Sequence, residues 1–254
     1  MPHHLCPLLF ITLLCGSLCY SASVGTVEDL ISLFNNATGT ILQTDIELTA
    51  DLDFSNFTLT FPFGASLNGG CTAYSGVFHG NNHSIKNLKM NSTSNARYNN
   101  SGLFCSLKDA TVENLVIDSS CSFTGDSAGA LSVTVYGSLT VTNTTNKAAV
   151  NGTKRLGGFI GFVNELKQNN VISFDDCVNS GNIIASKDLA GGFIGYVFNN
   201  TNMTVAISNS INNGQLKGNL FVGGFLGYIS KSTNIIVTIF NSTNNGAVTK
   251  SSGS

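Results

Sequence analysis

The sequence predicts an all-β fold: a right-handed parallel β-helix of about six coils, with a short capping helix at its N-terminal end. The first observation is an internal repeat. Gly157-Gly158-Phe159-Ile160-Gly161-Phe162-Val163 returns as Gly191-Gly192-Phe193-Ile194-Gly195-Tyr196-Val197 and again as Gly223-Gly224-Phe225-Leu226-Gly227-Tyr228-Ile229. Fainter copies stand upstream at Gly129-Ala130-Leu131, Ser101-Gly102-Leu103-Phe104 and Ser75-Gly76-Val77-Phe78. Anchored on their second residue, the copies fall at 76, 102, 130, 158, 192 and 224, in steps of 26, 28, 28, 34 and 32 residues. A period of that size marks a solenoid, because one such unit cannot bury its apolar side alone and stacking supplies the core. The second observation is the segments themselves, which are short, rich in Val, Ile, Phe and Thr, and bounded by Gly and Asn. The third is their close spacing, which leaves no room for crossover helices.

In chain order, residues 1–23 read as a signal peptide: an apolar run from Leu5 to Cys19 followed by the small residues Ser21, Ala22 and Ser23. Residues 24–64 read as an N-terminal cap. Thr26 and Asp29 form a capping-box pattern, and Val27, Leu30, Ile31 and Phe34 recur at helical spacing. Strands around 40–48 and 52–61 lead into repeats over 65–254. A second column supports the register. Ile85-Lys86-Asn87, Val112-Glu113-Asn114 and Val141-Thr142-Asn143 align with Phe174-Asp175-Asp176, Ile207-Ser208-Asn209 and Ile239-Phe240-Asn241. These Asn residues are expected to stack their amides along the axis. Asn179-Ser180-Gly181, Asn212-Asn213-Gly214 and Asn244-Asn245-Gly246 read as turns, while Phe159, Phe193 and Phe225 should form an aromatic ladder.

Composition narrows the function. Charged residues make up 10% of the chain and the formal charge is -2, so the basic footprint of a nucleic-acid binder is missing. The 12 Lys and Arg are scattered singly, which also argues against a polybasic membrane patch. No segment of the mature chain is expected to span a membrane. Cys6, Cys15 and Cys19 would leave with the signal, and Cys71, Cys105, Cys121 and Cys177 remain. Four cysteines in an oxidising compartment allow up to two disulfides in three connectivities, and buried thiols are the alternative.

The Gly-Gly-Phe-Ile-Gly units, with Gly102-Leu103-Phe104-Cys105 and the segment from Tyr74 to Ile85 before them, resemble proteins carrying the GLUG motif. The resemblance covers roughly residues 45–254. It implies β-helical domains on secreted or surface proteins, often beside adhesin or extracellular peptidase modules, and this sequence carries no such partner module to transfer an activity from.

Chemistry is sparse in the sequence. The column beside the expected Asn ladder reads Lys86, Glu113, Thr142, Asp175, Ser208 and Phe240, which assembles no acidic pair. Asp45, Glu47, Asp51 and Asp53 alternate with apolar residues and read as charge guarding a sheet edge. His79 and His83 flank a Gly-Asn-Asn turn, without a third ligand for a metal. No catalytic, cofactor or metal residues are assigned. Ten Asn-x-Ser/Thr sequons are present; Asn56, Asn91, Asn151, Asn199 and Asn202 are the glycosylation candidates, whereas Asn143 and Asn241 are expected to point inward. The reading is a secreted or cell-surface, adhesin-like binding protein, not an enzyme, whose outward strand faces recognise an extracellular glycan or surface protein. Two alternatives accompany it: an extracellular polysaccharide lyase or hydrolase, and a structural module that associates end to end.

Overall fold

A computed structural model describes residues 21–37, 39–66, 69–93, 98–167 and 169–250. Residues 1–20 of the expected signal peptide lie outside the described residues, and its expected boundary falls inside a strand, Ser21–Val24, that buries Ala22 and Val24.

The chain winds as a β-solenoid with four parallel sheets along its sides. Successive coils place one strand in each sheet in turn. Face I carries seven strands, from Ile41–Leu42 through Phe104–Leu107, Ile160–Asn164 and Ile194–Phe198 to Leu226–Ser230, so it bounds six complete turns. Face II follows with eight strands, beginning at Ser21–Val24 and Asp45–Leu48 and ending at Thr233–Phe240. Face III is a narrow ladder of seven short strands, and face IV leads back to face I through Ser122–Gly129 and Ala149–Gly157. Among the described residues every ladder between strands is parallel, and one antiparallel bridge joins Ala65 to Cys71.

Alternation decides which side faces the axis. In the face II strand Thr201–Ser208, Met203, Val205 and Ile207 are buried while their neighbours are at least partly exposed. Stacked over one another, Ile46, Phe78, Val112, Val141, Phe174, Ile207 and Ile239 form one inward column. The expected aromatic ladder is present: Phe159 lies 5.0 Å from Phe193, and Phe193 lies 5.2 Å from Phe225, ring centre to ring centre.

Three parts of the register differ from the sequence reading. Ser75-Gly76-Val77-Phe78 is not in line with the other five glycine-led units. Those lead into face I, whereas Phe78 sits in face II over Val112, because Ala73–Tyr74 already fills the face I position of that coil. Ile85 belongs to face III, paired with Ile117, and Phe78-His79 takes the place assigned to Ile85-Lys86. The inward amide ladder is also another set of residues. Asn114, Asn143, Asn209 and Asn241 turn the corner after face II in the left-handed region, at φ 54°, 42°, 49° and 45°. Asn143, Asn209 and Asn241 are therefore exposed, as befits the side chain best tolerated in that conformation. The inward ladder is Asn146, Asn179 and Asn212, all buried, and Asn244 at its exposed end, in face III; three of the four had been read as turn residues. Each of the first three donates from Nδ2 to the Oδ1 of the next, at 2.8, 2.7 and 2.6 Å.

That ladder explains the second glycine of the repeat. A Cβ on Gly158 would lie 2.7 Å from the Asn179 amide carbon and 2.1 Å from the Gly192 carbonyl oxygen. Gly192 stands in the same relation to Asn212, and Gly224 to Asn244. Glycine is required there by close approach, since these positions do not have positive φ.

The N-terminal helix, α1, spans Val27–Asn35 and has both halves of the capping box: Asp29 N–H donates to Thr26 Oγ1, and Asp29 accepts from the Thr26 N–H. Its apolar side buries Val27 and Leu30, and Phe34 packs against Phe63, Tyr74 and Phe104 of the first coils. A solenoid end needs such a cover. Cys71 and Cys105 form a disulfide with Cα atoms 6.0 Å apart, while Cys121 and Cys177 are buried thiols. The four cysteines thus supply one bridge, not two.

Candidate functional site

The outward side of face I carries a stripe of rings. Along it, Ser106, Thr134, Phe162, Tyr196 and Tyr228 occupy equivalent positions in successive strands. Alternation turns them away from the axis, to which Val163, Val197 and Ile229 beside them point; Ser106 is covered, and Thr134 and the three rings are partly exposed. Phe162 and Tyr196 stack at 5.5 Å, and Tyr196 and Tyr228 at 5.7 Å, close to the coil spacing of about 4.8 Å that parallel pairing imposes.

A second outward column stands across the bend in face IV, where Ser127, Arg155, Leu189 and Phe221 align. The two columns meet as pairs. The Arg155 guanidinium carbon lies 4.5 Å from the centre of the Phe162 ring, and Phe221 stacks on Tyr228 at 4.1 Å with planes 6° apart. Between them is a groove of about 480 Å³, walled by Lys154, Arg155, Asp188, Tyr196, Leu220, Phe221 and Tyr228.

Arg155 is the unusual member. Its Nε is buried without a hydrogen-bond partner, and it forms no ion pair among the described residues. Desolvation holds its pKa below the usual arginine value. Asp126 does not neutralise it by contact: Thr153 Oγ1 and Lys154 Nζ both donate to that carboxylate. A guanidinium kept partly dry on a ring, beside rings still open to solvent, can bind an anionic group through its unused donors. The sequence reading missed this site. Phe162, Tyr196 and Tyr228 stand inside the glycine-led units, but only the inward Phe of each unit was used there, and Arg155 and Phe221 carry no local signal.

The acidic residues near the N-terminus are occupied. Asp45 Oδ1 accepts from Val77 N–H at 2.8 Å, and Glu47 from Asn81 Nδ2 at 3.1 Å. Asp51 accepts from Ser84 N–H at 2.7 Å and Lys86 Nζ at 2.6 Å, with His83 at 3.5 Å. The Lys86 bond, then the Ser84 N–H, lowers the Asp51 pKa. Asp45–Leu48 lies inside face II, not at its edge, whereas Leu52–Asp53 is the edge of face III. His79 lies between Glu47 and Glu113 in the outward column, bonded to Glu113 at 2.7 Å. That column therefore runs Ser23, Glu47, His79, Glu113, in place of the expected Lys86, Glu113. Among the described residues no group of three or more His, Cys, Asp and Glu side chains could hold a metal ion.

Burial pushes the Cys121 thiol up to about 11 and the Cys177 thiol up to about 12. Of the sequon residues, Asn56, Asn91, Asn199 and Asn202 are exposed and Asn151 is half-buried. Asn143 and Asn241 are exposed as well, which removes the reason for setting them apart. No described helix is long and apolar enough to cross a membrane.

The sequence matches no family model, and no curated protein matches it. Among solved structures the chain is similar to one described as a "putative immunoglobulin A1 protease" from Bacteroides ovatus, at 16% identity and a TM-score of 0.56, over 90% of this chain and 84% of that one. At that identity the likeness concerns the fold.

Proposed function

We propose that this protein is a secreted or cell-surface binding module that recognises an extracellular partner through the outward side of face I. The observation that carries the reading is the solvent-facing ring column Phe162, Tyr196 and Tyr228 beside Arg155 and Phe221. Rings left partly exposed in a regular row, beside the exposed Leu220 and Phe221, mark an interaction site. The disulfide supports an oxidising compartment. The glycine-led units belong to the GLUG type on this reading, and Asn56, Asn91, Asn151, Asn199 and Asn202 carry N-glycans where the host glycosylates. The test is saturable binding to cell surfaces and immobilised glycans, compared with a triple Tyr196→Ala, Phe221→Ala, Tyr228→Ala variant. Loss of binding by a folded variant supports the reading, and undiminished binding refutes it.

An enzymatic reading, as the name of the Bacteroides protein prompts, would need a nucleophile or metal. The free thiols are buried and hard to ionise, and the acidic side chains near the N-terminus are engaged in hydrogen bonds. Proteolysis of immunoglobulin A1 or release of sugar product over time would overturn the binding reading. A structural reading is favoured by a separate observation: Val237 and Ile239 of Thr233–Phe240 are 41% and 46% exposed, whereas Val205 and Ile207 beneath them are buried. An uncharged edge of that kind recruits another strand. With α1 covering the opposite end, two copies would meet tail to tail, and sedimentation over a concentration series would show it.

A further inference from the structure

We propose that the groove between faces I and IV binds a sugar residue bearing one carboxylate, a uronic-acid unit of an extracellular polysaccharide. The inference rests on the reading of face I as the binding surface and names its ligand. Three features of the groove converge on that chemistry.

Arg155 supplies the anion site. Its guanidinium carbon lies over the Phe162 ring, 4.5 Å from the ring centre, its Nε is buried and unpartnered, and Asp126 is engaged by Thr153 and Lys154. Leaving a desolvated cation unpaired is costly, and a planar carboxylate accepting two parallel hydrogen bonds from the fork removes that cost. The rings supply the platform. The negative face of an aromatic ring attracts the positively polarised C–H bonds on the flat side of a pyranose. Tyr196 and Tyr228 are 5.7 Å apart along the axis and Phe221 stacks on Tyr228, so the row forms an apolar wall against which adjacent sugars of one chain can pack.

Asp188 supplies a hydrogen-bond acceptor. It lines the same groove, where a carboxylate accepts hydrogen bonds from sugar hydroxyls. The groove thus combines one cation outside any ion pair, a second cation, Lys154, that is paired with Asp126, one acceptor and a row of rings. A uronate unit offers one planar carboxylate for the guanidinium fork, several hydroxyls and an apolar face.

The experiment titrates the purified full-length chain with polygalacturonate, with the same polymer after methyl esterification, and with heparin. Binding is followed by calorimetry. Polygalacturonate should bind roughly tenfold or more tightly than its ester, the difference a charge-assisted hydrogen bond makes. Arg155→Met should abolish that preference, and Arg155→Lys should restore it only in part, since it keeps the charge and loses the fork. Thermal melts confirm that each variant is folded. Equal binding of acid and ester, an undiminished preference in Arg155→Met, tightest binding to heparin, or no binding to any of the three polymers overturns the proposal. If the polymers fail while cell-surface binding still depends on Tyr196, Phe221 and Tyr228, the ligand class is wrong and the face I reading stands. If that dependence is also missing, both fall.

Discussion

Replacing Asn179 by Ala tests the amide ladder at its centre. Asn179 is fully buried, accepts from Asn146 Nδ2 at 2.8 Å, and donates to Asn212 Oδ1 at 2.7 Å and to Gly181 O at 3.1 Å. The variant loses all three bonds and leaves the Asn212 Oδ1 and Gly181 carbonyl acceptors short of a donor in the core. At about 1 kcal/mol net per bond, with more for an orphaned buried acceptor, the loss should be about 3–5 kcal/mol. Asn143→Ala is the control. Asn143 makes a single ladder bond of the same kind, Nδ2 to Asn114 Oδ1 at 2.7 Å, but on the exposed corner. It should cost about 1 kcal/mol, including the left-handed backbone that Ala tolerates less well. The chain has no tryptophan, so far-ultraviolet circular dichroism against urea is the assay. Stacked repeats unfold through nearest-neighbour interfaces, so hydrogen exchange at the face III amides should report the loss where it arises. A loss below about 1 kcal/mol for Asn179→Ala, or equal losses at both positions, would refute the claim that burial makes this ladder structural.

Three other outcomes follow from the same structure. Phe193→Ala removes a fully buried ring that touches Phe159, Phe174 and Phe225 at 5.0, 5.2 and 5.2 Å, and should cost about 3–5 kcal/mol in the same urea assay. Cys121 and Cys177 should resist a thiol reagent in the native protein at neutral pH and react once urea unfolds it, because burial disfavours both thiolates; rapid native labelling of either would contradict this. Acid should destabilise the fold. Asp51, Asp118, Asp126 and Asp175 have folded pKa values held below 3.8, chiefly by hydrogen bonds from Lys86, Ser120, Thr153 and Ser208 respectively. Their contribution is complete above the unfolded value and is lost as pH falls through it toward the folded values, so the urea midpoint should drop below about pH 4. A midpoint that rises as pH falls there would reverse the sign.

Much of the architecture was legible because it is local. The glycine-led units at 102, 130, 158, 192 and 224 do stack, and their inward Phe residues meet, since alternation along a strand and the repeat of a coil length are properties of the chain itself. Thr26 and Asp29 announced α1 for the same reason, because a capping box is closed within four residues. The first coils were misread because Gly76 and Gly102 are not equivalent. Tyr74 pairs with Leu107, a full coil of 33 residues (107 − 74), so the 26-residue step between the two glycines joins different faces, and similarity of residue types does not reveal it.

Sequence alone determined that the chain repeats, that the repeat is β, and that its first turns are covered by a helix. Only the tertiary structure decided which Asn column faces inward, which cysteines pair, and where the rings and Arg155 meet. The corner positions and the face III positions are both rich in Asn, and the backbone bend between them, not the residue type, selects the one that is buried. Cys71 and Cys105 are 34 residues apart in the chain and 6.0 Å apart at their Cα atoms. Arg155 and Phe162 belong to one coil and Phe221 and Tyr228 to a later one, on two faces of the solenoid. A groove made that way exists only once the coils are wound, because the spacing between its parts is set by strand pairing across coils and by no feature of either segment.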